Sequence, residues 1–252
     1  MDLANLSRDK FIDIHAHLSD RSFDGNREDL ISRLEGYIVL NAGENPAENE
    51  KVLSLESSSV LKCIGLHPNY VSSASENEIA NGLDFLSANV NKAFALSEVG
   101  LDYKNKTDAQ KKTQVLILGR IFELAEKNNK VCIVHSRNSI SELIDLSKSF
   151  KARVIIHNFE GNWTSYTKAV DAGIGISVST GFMKFKKDSL LRKMDLSFLF
   201  TETDSPVLSP DNEINTPLNI PRLLNYIASI RSMDSNELKQ IIAGNLVRFF
   251  HD

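Results

Sequence analysis

Five of the six histidines fall in short apolar segments of the chain. His15 and His17 lie in FIDIHAH, His67 ends LKCIGLH, His135 ends VCIVH and His157 ends RVIIH. A single histidine near a core is more often a hydrogen-bonded packing residue than a ligand. Five histidines at equivalent positions instead predict a shared metal site, because neutral imidazole is the commonest metal ligand in proteins.

His15 and His17 are separated by one residue in the first of these segments. Alternate side chains of a β-strand point to the same face, so both imidazoles are expected on one side. One metal ion can then bind both.

Two carboxylates extend this ligand set, Glu98 near the end of AFALSEV and Asp204 at the end of FLFTETD. Imidazole and carboxylate ligands together suit zinc, manganese or iron, and they tolerate magnesium if several waters stay bound. Four or five imidazoles and two carboxylates give at least six candidate ligands, which is too many for one ion with an open position, whereas a bridging carboxylate lets two ions sit about 3.5–4 Å apart. The sequence therefore predicts a two-metal site, in which the ions activate a shared water.

The elements that must position these residues repeat along the chain. Short apolar runs of β type alternate with longer segments of helical spacing, which indicates βα units and a parallel sheet. Eight runs are predicted strands, beginning at Phe11, Tyr37, Leu61, Ala93, Val131, Arg153, Gly173 and Phe198. Predicted helices span 26–35, 46–56, 76–89, 108–129, 138–149, 162–172 and 187–194, with two more after the last strand.

Eight βα units predict an α/β fold, a single TIM-type (β/α)8 barrel, although periodicity alone leaves an open doubly wound sheet as the alternative. The candidate ligands fall at the C-terminal ends of the predicted strands, where such barrels carry their active sites. The 252 residues match the usual length of this fold, so one domain spanning 1–252 is expected.

Composition and charge limit the class of protein and the kind of substrate contact that can be expected. With 42% hydrophobic and 25% charged residues the chain is typical of globular proteins, and its net charge of −4 gives no field for gripping long nucleic-acid backbones. A phosphate-bearing substrate must then be held locally. Cys63 and Cys132 lie in apolar runs, which predicts buried reduced thiols and a cytoplasmic location. The sequence shows no apolar signal core and no run long enough for a membrane helix, so no membrane association is expected.

Six motifs in the order of the barrel strands resemble the TatD family of metal-dependent hydrolases, and the likeness spans nearly the whole chain. FIDIHAHL matches the opening D-x-H-x-H-L motif of that family, GLHP its third-strand motif and SEVGLDY its G-E-[IV]-G-L-D-Y motif. IVHSR, HNFEG and TETDSP match the signatures of the fifth, sixth and eighth strands.

The resemblance implies a partition of the ligands. His15, His17, Glu98 and Asp204 would hold one divalent ion, and Glu98, His135 and His157 the other, with Glu98 bridging. Mg, Zn or Mn are the implied ions. Members of the family are implied to be phosphodiesterases acting on DNA or RNA ends, typically as 3′-to-5′ exonucleases, and some hydrolyse other esters. Asp204 and Glu98 are the predicted catalytic carboxylates.

The chain departs from the family pattern at several positions. Ser97 replaces the glycine that usually precedes the bridging glutamate, and Asn158 stands where a small residue or cysteine is common. The segment SPDNEINTP keeps Asn215 and Pro217 but lacks the basic pair of the family's R-G-K segment. The substrate contacts on that side of the site are therefore in question, whereas the metal ligands are all present.

Two residues are predicted to bind substrate. The resemblance suggests that His67 contacts a phosphate rather than metal, with a supporting role behind the ligands as the alternative. Arg137 follows His135-Ser136, and its planar guanidinium matches two phosphate oxygens at once, although a surface salt bridge is the rival interpretation.

Other polar residues are expected near the same site. Asp13 and Glu202 share strand parity with ligands, so they are expected to point inward and orient ligand imidazoles. Lys184, Lys186 and Lys187 form either a local patch for a nucleic-acid backbone or an ordinary solvated run of charge.

The leading hypothesis is thus a cytoplasmic phosphodiesterase, a deoxyribonuclease-type exonuclease with a nucleic-acid substrate. An amidohydrolase-like enzyme acting on an amide, lactone or aminoacyl ester is the first alternative, because one barrel supports many substrates. A non-catalytic metal-binding scaffold is the second, but such a protein is expected to lack a ligand. The sequence identifies no protein partner.

Overall fold

The computed structural model describes residues 3–185 and 187–251. Within these residues the strands are β1 Phe11–Ala16, β2 Tyr37–Ala42, β3 Val60–Ile64, β4 Ala95–Asp102, β5 Val131–Arg137, β6 Arg153–Ile156, β7 Gly175–Ser179 and β8 Leu199–Glu202. The helices are α1 Leu3–Ser7, α2 Arg27–Ser32, α3 Pro46–Ser54, α4 Pro68–Ser73, α5 Glu76–Asn89, α6 Asp108–Lys127, α7 Ile140–Ser147, α8 Trp163–Asp171, α9 Phe182–Phe185, α10 Asp188–Leu191, α11 Ile220–Arg231 and α12 Ser235–His251.

The strands follow one another in a sheet of order β1-β2-β3-β4-β5-β6-β7-β8. The pairs β1–β2, β3–β4, β4–β5, β5–β6 and β7–β8 are parallel. Parallel strands in chain order with helices between them define a TIM-type (β/α)8 barrel. The predicted fold class is confirmed.

Two compact units can be distinguished in the described residues by their contacts. The first comprises residues within 1–41, 57–61 and 175–252, and so contains β1, most of β2, β7 and β8. The second comprises 42–56 and 62–174, and so contains most of β3 together with β4, β5 and β6. The single domain over 1–252 stays a prediction.

In the first unit the C-terminal helix α12 covers the outside of β8. Leu238, Ile242, Leu246 and Phe249 recur on one helix face and are buried. The ring of Phe249 packs edge-on against Phe200 of β8, with centroids 5.1 Å apart. The amphipathic face of this helix therefore fixes the outer surface of the strand that leads to Asp204.

In the second unit α6 supports β4 in the same way. Thr107 and Gln110 form a capping box at its start, each side chain accepting the other's backbone N–H. The side-chain amide of the buried Gln114 bonds to both backbone groups of Asp102. It accepts from the Asp102 N–H at 2.9 Å and donates to the Asp102 carbonyl at 3.0 Å. The last residue of β4 is thereby fixed.

The predicted elements match the observed ones except at several ends. The strand predicted from Gly173 begins at Gly175, and the helix predicted over 187–194 is a single turn at Asp188–Leu191. The helices α1, α4 and α9 were not predicted. Short helices carry little hydrophobic periodicity, although Pro68 at the first turn of α4 is a recognisable start signal. Among the described residues, no helix has the length and apolarity needed to cross a membrane.

Candidate metal centre

The first unit brings together three predicted ligands where β1 and β8 end. Nε2 of His15 lies 3.1 Å from Nε2 of His17, and Oδ1 of Asp204 lies 3.7 Å and 3.5 Å from these two atoms. His15 is fully buried, whereas the side chains of His17 and Asp204 are each 13% exposed. This first cluster therefore has a protected side and a side open to substrate or water.

Backbone hydrogen bonds between the end of β1 and the segment that follows β8 set this geometry. The Asp204 N–H donates to the His15 carbonyl at 2.9 Å, and the His17 N–H donates to the Ser205 carbonyl at 2.7 Å. The pairing of β1 with β2 shifts between Asp13 and Ala16, so β1 carries an extra residue beside His15. Such a bulge re-aims side chains and is common next to active sites.

Below the first cluster lies a buried polar network centred on Asp13. Its carboxylate accepts from the Thr203 hydroxyl at 2.6 Å, the Thr203 N–H at 3.0 Å and the His15 backbone N–H at 3.2 Å. Burial raises the pKa of Asp13 to about 8, against these hydrogen bonds, which lower it. The expectation that Asp13 orients an imidazole is wrong, because the carboxylate holds backbone groups instead. The role expected of Glu202, which is buried at the end of β8, stays a prediction.

The second unit brings together the other predicted ligands at the ends of β4, β5 and β6. Oε1 of Glu98 lies 2.9 Å from Nδ1 of His135 and 2.9 Å from Nε2 of His157, and the two nitrogens are 3.2 Å apart. Glu98 and His157 are buried, and the side chain of His135 is 20% exposed. We call these three residues the second cluster.

Close strand approach positions Glu98. The pairing of β4 with β5 shifts between Leu96 and Val99, so β4 also carries an extra residue, here beside Glu98. A Cβ on Gly65 would come within 2.3 Å of the Glu98 carbonyl oxygen. On the other side, Gly100 has a φ of +142°, and a Cβ there would come within 2.1 Å of the His135 carbonyl oxygen. Only glycine at both positions lets the flanking chain lie this near to β4.

Asp102 is a site residue that the sequence reasoning missed. Its Oδ2 lies 3.5 Å from Nε2 of His135, on the side of the ring opposite Glu98. Burial alone would lower the pKa of His135, but contacts with Asp102 and Glu98 outweigh it and raise that pKa. Asp102 follows Glu98 by four residues on one strand, and this even spacing was the available signal.

His67 also lies beside the second cluster. Its Nδ1 accepts the Asn69 backbone N–H at 3.1 Å, so the neutral ring carries its proton on Nε2. That Nε2 lies 3.3 Å from Oε1 of Glu98. His67, Glu98 and His135 also form a group that could hold a cation. The predicted contact of His67 with substrate phosphate rather than metal stays a prediction.

Arg137 ends β5 two residues beyond His135 and is half-buried. Across residues 3–185 and 187–251 its guanidinium makes no hydrogen bond or ion pair, so the surface salt bridge considered for it is not formed there. Burial raises the pKa of the Asp102 carboxyl, but hydrogen bonds with His135 and Lys104 outweigh it and lower that pKa. The positive charge of Arg137 lowers it further. The role of Arg137 in substrate binding stays a prediction.

The predicted lysine patch is only partly described. The exposed Lys184 donates through Nζ to the Asp211 carbonyl at 2.8 Å, and Nζ of Lys187 lies 5.0 Å from the centre of the Phe182 ring. Lys186 lies outside the described residues. Contact of these lysines with substrate stays a prediction.

The donor atoms of each cluster fit a divalent cation. In a tetrahedral site with metal–ligand distances of about 2.0–2.1 Å, neighbouring ligand atoms lie roughly 3.3 Å apart. The separations are 3.1, 3.5 and 3.7 Å in the first cluster and 2.9, 2.9 and 3.2 Å in the second. Because a cation can take the place of a proton between such groups, the raised pKa of His135 agrees with a cation site.

A TIM-type barrel that carries imidazole and carboxylate clusters where its strands end has the architecture of a metal-dependent hydrolase. The family described as TatD related DNase matches residues 12–251. The chain belongs to the TatD family of metal-dependent hydrolases, and the resemblance seen in the motifs is confirmed.

Related proteins and structures agree with this assignment. The chain is 31% identical to the uncharacterized metal-dependent hydrolase MJ1582 of Methanocaldococcus jannaschii, over 96% of this chain and 97% of that protein. It is 28% identical to deoxyribonuclease TATDN3 of Homo sapiens, over 95% and 94% of the two chains. The fold is similar to that of the TatD homologue YjjV of Escherichia coli K12, with a TM-score of 0.84, 23% identity and coverage of 98% and 99%.

Proposed function

We propose that this chain is a phosphodiesterase that removes nucleotides from the ends of DNA or RNA strands, as a 3′-to-5′ exonuclease. The observation that carries the proposal is the second cluster, where candidate metal donors lie near the Nε2 of His67 and on the strand that ends with Arg137, whose guanidinium has no hydrogen bond or ion pair within residues 3–185 and 187–251. N–H donors and a guanidinium bind phosphate oxygens. The name of the human relative, a deoxyribonuclease, supports the same substrate class.

Two divalent ions, of Mg, Zn or Mn, are the proposed cofactors. His15, His17 and Asp204 would hold one, and His135 and His157 the other. The proposal that Glu98 serves both ions rests on the resemblance to the family rather than on a measured distance. The four imidazoles favour Zn or Mn, because Mg prefers oxygen ligands.

Asp204, His67 and Arg137 have separate proposed roles in the reaction. When bound, the ions would supply positive charge and lower the pKa of an attacking water. Asp204, partly exposed beside the two histidines, accepts the proton of that water. His67 donates a hydrogen bond from Nε2–H to a phosphate oxygen, and Arg137 binds two oxygens through its fork, which orients the phosphorus for attack. As the water oxygen bonds to phosphorus, the bond from phosphorus to the 3′ oxygen of the preceding nucleotide breaks, and that oxygen takes a proton from solvent.

The test uses single strands labelled at either the 5′ or the 3′ end and protein loaded in turn with Mg, Mn or Zn. Metal-dependent release of mononucleotides, with a 5′ label retained on progressively shorter strands, is the expected result. Chelator-treated protein and the His135→Ala variant are the controls, and both should be inactive. Cleavage of internal bonds only would contradict the exonuclease assignment.

The alternative hydrolase class is examined with a panel of amides, lactones and aminoacyl esters under the same metal loading. Turnover of one of these substrates with no release of nucleotides would replace the proposal. The cytoplasm stays the proposed compartment, on the support of two buried free cysteines, Cys63 and Cys132.

A further inference from the structure

A cavity of about 420 Å³ lies in the first unit between the chain segments that follow β7 and β8. The residues that shape it include Gly181, Phe185, Pro206, Val207 and Leu208. The volume is within the range of about 300–1,000 Å³ typical of sites for small molecules. It is too small for a helix or folded domain, so a small planar group is a suitable occupant.

Part of the cavity wall is formed by the residues that follow Asp204 of the first cluster in the sequence. Pro206, Val207 and Leu208 follow Asp204 directly, and the Val207 N–H donates to the Asp204 carbonyl at 2.9 Å. One wall of the cavity is therefore tied to Asp204 by sequence and by a backbone hydrogen bond.

The lining is mixed, and its apolar part includes an aromatic side chain exposed to solvent. Among the described residues, Phe185 is 67% exposed and Val207 is 54% exposed, and they are two of five bulky apolar side chains that are exposed. Such exposure of two apolar side chains at the mouth of one cavity indicates a ligand surface. A Cβ placed on Gly181 would lie 3.4 Å from the Phe185 ring and 3.5 Å from Leu208, so the absence of a side chain there leaves room beside the ring.

The edge of the cavity carries charges of both signs, because Lys184 also lines it and donates through Nζ to the Asp211 carbonyl at 2.8 Å. Asp211 and Glu213 both line it, and the two N–H groups of Arg222 bind the Asp211 carboxylate at 2.5 Å and 3.2 Å. The carboxylate of Glu213 makes no ion pair in the described part of the chain. The carboxylate of Glu213 can accept hydrogen bonds from the exocyclic amines of a nucleobase.

We propose that this cavity is a subsite for the unpaired nucleobase of the terminal nucleotide, with the base stacked on Phe185 and its sugar-phosphate directed toward Asp204. The inference rests on the proposed nuclease function and adds to it a requirement for a base. Stacking on an aromatic side chain depends little on which base is bound, so the subsite recognises a base without reading sequence.

Two measurements test the subsite in the metal-loaded protein. Calorimetry compares binding of deoxyadenosine monophosphate with that of deoxyribose 5-phosphate, which lacks the base. Cleavage assays compare strands whose terminal nucleotide carries adenine with strands whose terminal nucleotide is abasic. The parent should prefer the base-containing partner by roughly five- to a hundredfold in both measurements.

Matched variants assign the preference to the cavity. Phe185→Ala should reduce both ratios to about one, Phe185→Tyr should keep them, and Gly181→Val should lower them by filling the space beside the ring. Leu116→Ala, which removes another exposed apolar side chain from α6, is the control and should retain the parent ratios.

The outcomes separate this inference from the proposed function. If the parent cleaves both kinds of strand at equal rates and binds both phosphates equally, the subsite is refuted while the nuclease function stands. If Phe185→Ala keeps the preference, the base binds elsewhere and the subsite is again refuted. If no strand is cleaved under any metal loading, the nuclease function fails and the subsite fails with it.

Discussion

In the second unit His67 and His135 differ in the groups that face their two ring nitrogens. In His67 the Asn69 N–H occupies Nδ1, which leaves a proton on Nε2. In His135 the order is reversed, with Nε2 facing Asp102 and Nδ1 facing Glu98 and His157. The hydrogen bond at one nitrogen determines the chemistry of the other. Two histidines 4.8 Å apart between ring centres are therefore proposed to differ in function, His67 as a hydrogen-bond donor to substrate and His135 as a metal ligand.

Replacement of Asp204 by Asn separates proton transfer from metal binding. Asp204→Asn keeps an oxygen near His15 and His17 but cannot accept a proton, so turnover should fall by about 10²–10⁴-fold while the fold and at least one ion are retained. Glu98→Gln is the contrasting variant and should lose metal and activity together. Single-turnover cleavage and metal analysis at saturating metal make the measurement. An Asp204→Asn rate close to the parent rate would assign proton acceptance to another group.

Asp102→Asn tests whether the carboxylate behind His135 supports metal binding. The loss of its negative charge should weaken metal affinity by about 10–100-fold, since partners of ligand histidines commonly contribute this much. Titration of metal-free protein with Zn or Mn gives the affinity. Asp145→Asn, at an exposed site on α7, is the control and should bind like the parent. Unchanged affinity in Asp102→Asn would show that the 3.5 Å contact has no role in binding.

Arg137→Lys examines the phosphate contact. Lysine keeps the charge but not the planar fork, so KM for a single strand should rise by roughly tenfold with little change in metal content. Arg137→Ala should in addition reduce the salt dependence of binding, because counterion release follows the number of phosphate contacts. Equal KM values for the parent and both variants would remove Arg137 from the substrate site.

The ligands were predicted at the residue scale because family motifs fix their identity and order. Asp102 was visible in the motif SEVGLDY, but no sequence pattern gives the direction of a neighbouring ring nitrogen. The same limit applies to Asp13, whose parity indicated an inward side chain without revealing that Thr203 would be its partner.

At the scale of elements, the two bulges are the feature that sequence periodicity missed. β1 and β4 each contain one more residue than the paired stretch of the neighbouring strand, and the extra residues lie beside His15 and Glu98. A bulge is a property of the register between two strands, so one strand's own pattern does not encode it. The eight strands themselves were predictable because each is an apolar run followed by a helical segment.

Asn215 holds together the segments that follow β7 and β8. Its Nδ2 lies 2.8 Å from the Thr180 hydroxyl, 2.7 Å from the Thr203 carbonyl and 2.8 Å from the Val207 carbonyl. Its Oδ1 accepts the Thr216 N–H at 3.0 Å. One fully buried amide therefore supports both Asp204 and the wall of the proposed base subsite.

Asn215→Asp should destabilise these segments, because a carboxylate oxygen would face three oxygen atoms in place of an N–H donor. We expect the free energy of unfolding to fall by about 2–4 kcal/mol, the range for an unsatisfied buried polar group. Denaturant unfolding measures the change. Asn236→Asp makes the same substitution at an exposed position and should change stability by less than about 0.5 kcal/mol. Equal stability of both variants would show that Asn215 has no such role.

At the scale of the whole molecule, a net charge of −4 is compatible with a nucleic-acid substrate only if positive charge is local. Arg137 supplies such charge directly, and bound divalent ions would supply more at the two clusters. At the edge of the cavity Asp211 is paired with Arg222, and Lys184 and Glu213 have opposite charges, so this edge adds no net positive charge. This distribution favours short contacts at a strand end over long contacts along a duplex.

Removal of metal should lower the stability of the whole protein as well as its activity. Ions that bind only the folded chain stabilise it by RT ln(1 + [M]/Kd), about 2.7 kcal/mol per ion at a hundredfold excess over Kd. For a chain of 252 residues, this corresponds to a fall in Tm of about 5–10 °C per ion when a chelator is added.

Because each cluster has its own donors, the His135→Ala, His157→Ala double variant should retain about one ion and about half of the metal-dependent shift in Tm. Metal analysis and thermal unfolding of the parent and the double variant, each with and without metal, test both statements. The metal-free forms provide the control, since they report the cost of the substitutions alone. A parent that binds no more than one ion at saturating metal would refute the two-ion proposal. A double variant that loses all metal would refute the proposed partition, because His15, His17 and Asp204 would then be unable to hold an ion without the second cluster.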